Sequence, residues 1–118
     1  MHSYQKLTVW QKSMELAEQI YIITSKLPKN ETFGISSQMQ RAAVAIPSNI
    51  AEGSKRNHKA EFIQYLAIAN GSAAELETQL LLAKSIFKNL SIDFEKPLEL
   101  VTEVLKMLYS LQTSFKNK

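Results

Sequence analysis

The feature that most constrains the fold is a long apolar repeat in the second half of the chain. Its members are spaced alternately by four and three positions: Phe62, Leu66, Ala69, Ala73, Leu76, Leu80, Ala83, Phe87 and Leu90. This spacing keeps one face of an α-helix apolar over many turns, as in the seam of supercoiled helical bundles. We therefore predict a helix from Asn57 or His58 to about Leu90 that packs lengthwise against other helices.

The first and last helices are predicted from similar periodicity. The first should run from Thr8 to about Leu27, where Pro28 ends it. It carries two apolar stripes, one of Leu7, Trp10, Met14, Ala17 and Tyr21 and the other of Leu16, Ile20, Ile23 and Leu27. The last helix should follow Asp93 as N-cap, with Pro97 in its first turn. Its core stripe is Leu98, Val101, Leu105 and Leu108, with Leu100, Val104 and Leu111 beside it.

The second helix contains a proline. It should start after Gly34, with Ser37 as N-cap in a capping box with Gln40, and end near Gly53. Pro47 has no N–H, and its ring clashes with the carbonyl four residues earlier, so we predict a kink in this helix. The apolar positions that recur at helical spacing are Met39, Ala43, Ile46 and Ile50.

These elements predict an all-α fold, an antiparallel up-down four-helix bundle with its second helix kinked at Pro47. The length of 118 residues suits one domain spanning residues 1–118. Gly71 and Ser72 are poor helix formers inside the third helix, which predicts a close helix crossing or a bend. The doubled stripes of the outer helices and the run Leu80-Leu81-Leu82 exceed what one core needs, so an outer face should be buried against another subunit.

Composition excludes several classes of protein. The chain has no cysteine, which removes disulfides, thiolate catalysis and cysteine metal sites. No secretory signal is visible at the start, and no apolar run approaches the ~20 residues that cross a bilayer, so we predict a cytoplasmic protein with no membrane association. The formal charge of +3 is only a mild preference for polyanions.

Catalytic and metal-binding patterns are missing from the sequence. The two histidines, His2 and His58, are not in the Glu-x-x-His motifs of di-iron bundles, and no glycine-rich phosphate loop is present. A metal role for His58 with Glu61 is the minor alternative to a solvated helix start. A hydrolase or metalloenzyme using Glu52, Glu75 or Glu77 is likewise the minor alternative to exposed charges. We expect no enzyme activity, no catalytic residue and no cofactor.

Two polar clusters are the candidate binding residues. On a helical projection, one outer arc of the second helix holds Arg41, Ala45, Ser48, Asn49, Glu52 and Arg56. The arc is either structural, with Arg41 pairing with Glu52 and Asn49 satisfying backbone groups near Pro47, or a binding surface. The adjoining turn, Lys55-Arg56-Asn57-His58-Lys59, is either simply solvated or a phosphate contact that an oligomer would multiply.

Three segments resemble a known family: Val9-Trp10-Gln11-Lys12, then Gln38-Met39-Gln40-Arg41-Ala42-Ala43-Val44-Ala45-Ile46-Pro47-Ser48-Asn49-Ile50-Ala51-Glu52-Gly53, then Gly71-Ser72-Ala73-Ala74-Glu75-Leu76-Glu77-Thr78-Gln79. Together they are similar to the four-helix-bundle proteins encoded in 23S rRNA intervening sequences, over almost the full chain. That family is similar to the accessory variability determinant of diversity-generating retroelements, a ring-forming bundle that binds a reverse transcriptase and nucleic acid. The resemblance implies a cyclic homo-oligomer, commonly a pentamer, that acts near RNA.

The chain departs from the family pattern at two positions. It has Gln40-Arg41 where the family typically has consecutive arginines, and Ala45 where serine is common. We predict a homo-oligomeric, non-catalytic binding module that engages RNA, DNA or a reverse-transcriptase-like protein. Its cationic contacts would be Arg41, Lys55, Arg56 and Lys59. The alternative is a purely structural or protein-binding scaffold without nucleic-acid affinity, in which the same signature residues only hold the second helix in place.

Overall fold

Four α-helices make up most of the chain. The computed structural model describes residues 3–117, so His2 and the two ends of the predicted domain lie outside the described residues. The helices are α1 (Thr8–Thr24), α2 (Ile35–Ser54), α3 (Lys59–Ile86) and α4 (Glu95–Lys116), with short 3-10 turns at Tyr4–Lys6 and Lys29–Glu31. Residues 3–117 contain no β-strand, which confirms the predicted all-helical class.

The helices surround one apolar core. α1 packs against α2 and α4, and α3 packs against the same two helices. The largest side chains that are fully buried come from all four helices: Leu16, Ile20, Met39, Ile46, Ile50, Leu66, Leu76, Leu80, Val101, Val104 and Leu108. The predicted stripe of α2 is therefore confirmed in full. In α1 the stripe ending at Leu27 is buried, although the helix itself stops at Thr24.

The seam of α3 is confirmed over most of its length. Its central members are buried, and Phe62 and Phe87 at the two ends pack against the core while partly exposed. The prediction was wrong for Leu90, which is 43% exposed. α3 ends at Ile86, and Phe87 leaves helical geometry with φ −103° and ψ 30°, so the helical register no longer holds at Leu90.

The predicted start of α2 after Gly34 is confirmed, since the helix begins at Ile35, but the predicted cap was wrong. Gly34 is the N-cap, so Ser37 lies inside the first turn and no capping box forms. Ile35 packs against the core and Ser36 is buried, and the helix starts three residues before the position that a Ser37 cap would give. Gln40 instead donates a hydrogen bond from Nε2 to Thr24 Oγ1 at 3.0 Å, which links α2 to α1.

Two glycines were singled out by the sequence. The predicted end of α2 near Gly53 is confirmed, since the helix ends at Ser54, although Gly53 itself has no positive φ and does not act as a left-handed C-cap. A Cβ at Gly53 would lie 2.5 Å from Cβ of Tyr65, so this glycine permits the close approach of α2 and α3. A Cβ at Gly71 would have nothing within 4 Å, so no close crossing occurs there.

The start of α4 largely follows the prediction. The N-cap is Phe94, one residue after the predicted Asp93, but the Oδ1 atom of Asp93 still accepts a hydrogen bond from the backbone N–H of Glu95 at 2.9 Å. The helix is assigned from Glu95, and Pro97 lies buried in its first turn. Phe94, which the periodicity did not select, is buried beneath this turn and belongs to the core.

Candidate functional site

Two side chains of the outer arc of α2 follow Pro47 directly. Ser48 Oγ donates to the carbonyl of Val44, and Asn49 Nδ2 donates to the carbonyl of Ala45, each at 2.7 Å. Both side chains therefore engage main-chain oxygens in the turn that contains the proline, as the sequence predicted. These contacts favour a structural role of Ser48 and Asn49, since each is a bond to the carbonyl four residues earlier on the same helix. Neither side chain reaches the carbonyl of Ala43, which is the one that Pro47 leaves without its usual N–H donor.

A charged network lies one turn further along α2. Arg56 donates from Nη2 to Glu52 Oε2 at 2.9 Å and to the Tyr65 hydroxyl at 2.5 Å. The Tyr65 hydroxyl in turn donates to Glu52 Oε2 at 3.2 Å, and the guanidinium carbon of Arg56 lies 5.0 Å from the Tyr65 ring centroid. The network joins the end of α2 to α3, so Arg56 has a structural role besides any ligand contact.

The network also favours the charged form of Arg56. Tyr65 beside the guanidinium, and to a smaller extent Glu52, raise the pKa of Arg56 above its ordinary value. An arginine is cationic at any pH at which proteins fold, so the shift reinforces a charge that the side chain already carries. The predicted pairing of Arg41 with Glu52 was wrong, because Glu52 bonds to Arg56, one helical turn away, while Arg41 is ~16 Å distant along the helix axis.

The basic turn is held against the start of the chain. Lys55 is exposed, and its Nζ lies 5.8 Å from the ring centroid of Tyr4. Tyr4 also contacts Trp10 edge to face, with ring centroids 5.4 Å apart. Periodicity did not reveal this role of Tyr4, because the residue precedes the first helix in a 3-10 turn. The cation–π contact orients the Lys55 ammonium without neutralising it.

The other two predicted cations lie apart from each other. Lys59 is exposed at the first position of α3, close to the basic turn. Arg41 is exposed on α2, about 21 Å from Lys55 along the helix at 1.5 Å per residue. The structure thus brings Lys55, Arg56 and Lys59 to one end of the molecule and leaves Arg41 as a separate positive charge on the same helix.

The described residues give little support to a metal site or to catalysis by carboxylates. Within residues 3–117, no three side chains of His, Asp or Glu converge as a metal site. Glu52 is occupied by the Arg56 network, and Glu75 is exposed on α3. None of the described helices is both long and apolar enough to cross a membrane. What the arrangement offers chemically is a set of fixed cations and hydrogen-bond donors.

Comparison with known proteins places the chain in context. A family model described as 23S rRNA-intervening sequence protein matches residues 5–110. The chain is also similar to a crystal structure described as a protein with unknown function from the S23 ribosomal protein family of Bacteroides thetaiotaomicron VPI-5482. The two share 30% identity with a TM-score of 0.80, over 89% of this chain and 98% of the other. No protein of curated function matches significantly.

Proposed function

The chain belongs to the family of 23S rRNA-intervening sequence proteins, and we propose that it is a homo-oligomeric, non-catalytic module that binds nucleic acid or a ribonucleoprotein enzyme. The observation that carries the proposal is the state of two cations, one on α2 and one directly after its last residue. Arg41 and Lys55 are both exposed, and within residues 3–117 neither forms an ion pair. Exposed, uncompensated cations are the groups that bind phosphates.

The kind of partner in this proposal is inferred from the family. Its likeness to the accessory determinant of diversity-generating retroelements suggests an accessory role beside RNA, DNA or a reverse-transcriptase-like protein. The similar crystal structure comes from the S23 ribosomal protein family but has an unknown function. A charge of +3 is small for a protein embedded in rRNA, so a ribosomal subunit role is not part of the proposal.

The antiparallel up-down arrangement belongs to the same proposal. It is supported by two ion pairs between α1 and α4: Lys12 with Glu103 at 3.6 Å and Glu15 with Lys96 at 3.5 Å. The later residue of α1, Glu15, pairs with the earlier residue of α4, Lys96. This order is the one expected for two helices that run in opposite directions. The kink of α2 at Pro47 remains a prediction, and the angle between the helix axes before and after Pro47 in a crystal structure would measure it.

Two exposed apolar surfaces support self-association. Between α1 and α2 lies a groove of about 640 Å³, lined by Trp10, Met14, Tyr21, Val44 and Pro47 among others. It contains most of the α1 stripe that includes Trp10, and within that stripe Met14 and Tyr21 are exposed. On another helix, α3, Leu81, Leu82 and Ile86 are each more than half exposed. Apolar patches on two different faces suit a head-to-tail contact that closes into a ring.

The assembly should be measurable directly. We expect light scattering at micromolar concentration to give a cyclic oligomer, with five subunits expected from the family resemblance. Replacing Leu82 with glutamate should shift the mass towards monomer, because a charge would then be buried in the contact. Thr102→Glu, an exposed change on α4, is the matched control and should leave the mass unchanged. A wild-type protein that stays at 13.4 kDa would refute the oligomer.

Polyanion binding should depend on the two exposed cations. We expect fluorescein-labelled oligo(U) RNA to bind at low salt, and the double variant Arg41→Gln/Lys55→Gln to bind more weakly. The slope of log affinity against log salt should also fall by about one for each cation that contacts phosphate. Arg56 is left unchanged in this variant, since its loss would break the network with Glu52 and Tyr65.

The control for this test is the double variant Lys26→Gln/Lys88→Gln. It removes the same charge from exposed lysines outside α2, so it should reproduce only the general effect of net charge. Equal weakening by both double variants would show that binding is unspecific. No binding by the wild type at low salt would favour the alternative function, a structural or protein-binding scaffold.

A further inference from the structure

A pocket of about 380 Å³ lies at the end of the molecule where α2 ends and α3 begins. Its apolar part is formed by Leu7, Phe62 and Phe115, which come from three different segments of the chain. Its polar rim belongs to the basic turn and includes Arg56, Asn57, His58 and Lys59. The volume is within the range of small-molecule sites, about 300–1,000 Å³. One wall is therefore aromatic and the other is cationic.

The aromatic wall is a pair of rings in contact. The centroids of Phe62 and Phe115 are 5.1 Å apart, with an angle of 53° between the ring planes. Both side chains are only half-buried, because they lie at the open end of the core. A tilted pair of this kind leaves ring surface available to a planar ligand, and flat nucleobases stack on such surfaces whatever their sequence.

The rim supplies donors for an anion. Arg56 carries a permanent positive charge, and His58 and Lys59 follow it at the start of α3, where the helix dipole adds partial positive charge. The Nε atom of Arg56 is buried, and no described residue accepts its hydrogen bond. A buried donor without an acceptor is uncommon in folded proteins, so the hydrogen bonds of Arg56 are not all satisfied by the protein.

We propose that this pocket binds one nucleotide, with its base against Phe62 and Phe115 and its phosphate at the rim formed by Arg56, His58 and Lys59. The inference deepens the proposed nucleic-acid function and rests on it for the biological source of the nucleotide. A ligand with only a charge would leave the aromatic wall uncovered, and a purely apolar ligand would leave the donors unused. A nucleotide, either free or within a single strand, combines both parts.

The test uses the full chain labelled with nitrogen-15 and titrated with AMP, adenosine, inorganic phosphate and oligo(A). We expect AMP to shift the amide signals of Asn57, His58 and Lys59, and to bind more tightly than adenosine or phosphate alone. Phe115→Leu, which keeps an apolar side chain but removes the stacking surface, should weaken AMP binding about tenfold. Phe33→Leu is the matched control, because Phe33 is 96% exposed and precedes the other end of α2.

The outcomes separate this pocket from the wider function. AMP and oligo(A) shifting the same amides, both weakened by Phe115→Leu, would support both inferences. AMP binding there without oligo(A) would leave a free-nucleotide site and refute the nucleic-acid function. Oligo(A) binding that Phe115→Leu does not change would keep the function and overturn the pocket, and no binding of either probe would overturn both. Circular dichroism melting of Phe115→Leu checks that the variant is folded.

Discussion

Replacing Leu76 with alanine should lower the free energy of unfolding by about 2–5 kcal/mol. Leu76 has no exposed surface and lies at the middle of the α3 seam, where all the neighbouring seam residues are buried as well. The cavity left by the missing atoms cannot be filled easily, because the surrounding side chains are held by helices on both sides. Urea denaturation followed by circular dichroism would measure the loss.

The matched control for Leu76 is Leu90→Ala. The sequence pattern assigns both leucines to one seam, whereas the structure buries Leu76 and leaves Leu90 partly exposed beyond the end of α3. We expect the control to cost no more than about 1 kcal/mol, as for substitutions outside a packed core. Similar losses for the two variants would mean that α3 and its seam continue to Leu90, against the structure.

Gly53→Ala should destabilise the protein by about 1–3 kcal/mol, although alanine is the better helix former. The added Cβ would lie 2.5 Å from Tyr65 Cβ and 2.9 Å from Phe62 Cδ1. Tyr65 Cβ is attached directly to the backbone of α3, so the contact can be relieved only by moving the two helices apart. Thermal and urea unfolding of the variant would measure the net effect.

Gly71→Ala should instead stabilise the protein. Gly71 is an exposed helical residue, and its added Cβ would meet nothing within 4 Å. The gain in helix propensity should therefore appear undiminished, raising the free energy of unfolding by up to about 1 kcal/mol. Two glycine-to-alanine changes of opposite sign would support the assigned close approach at Gly53. If both variants were more stable than the wild type, α2 and α3 would not be in close contact at Gly53.

The two glycines show where sequence reasoning reaches its limit. Gly53 was predicted to lie near the end of α2, and the helix does end one residue later at Ser54, but the close approach of α3 to Gly53 was not predicted. Gly71 was predicted to permit a close crossing or a bend, and no helix crosses closely there. A glycine has the same effect on local propensity wherever it occurs. What distinguishes the two positions is a tyrosine twelve residues away in sequence, and no local pattern shows that Tyr65 faces Gly53.

In the candidate site, too, the sequence identified some features and missed others. The sequence identified the polar arc of α2 and the basic turn, because both are contiguous or helically spaced residues. It did not identify Tyr65 as the partner of Arg56, Tyr4 as the partner of Lys55, or Phe115 as the partner of Phe62. Each of these partners lies on a different element. The only available signal was that aromatic residues occur near the ends of the predicted helices.

Helical periodicity by itself determined the number of helices, the buried stripe of α2 and most of the α3 seam. Those features depend on interactions within one segment and on the 3.6-residue turn, so they can be read locally. Helix ends, glycine roles and the partners of the cations were decided only by the tertiary structure. At those positions local preferences differ by ~1 kcal/mol or less, and contacts between helices are large enough to decide the outcome.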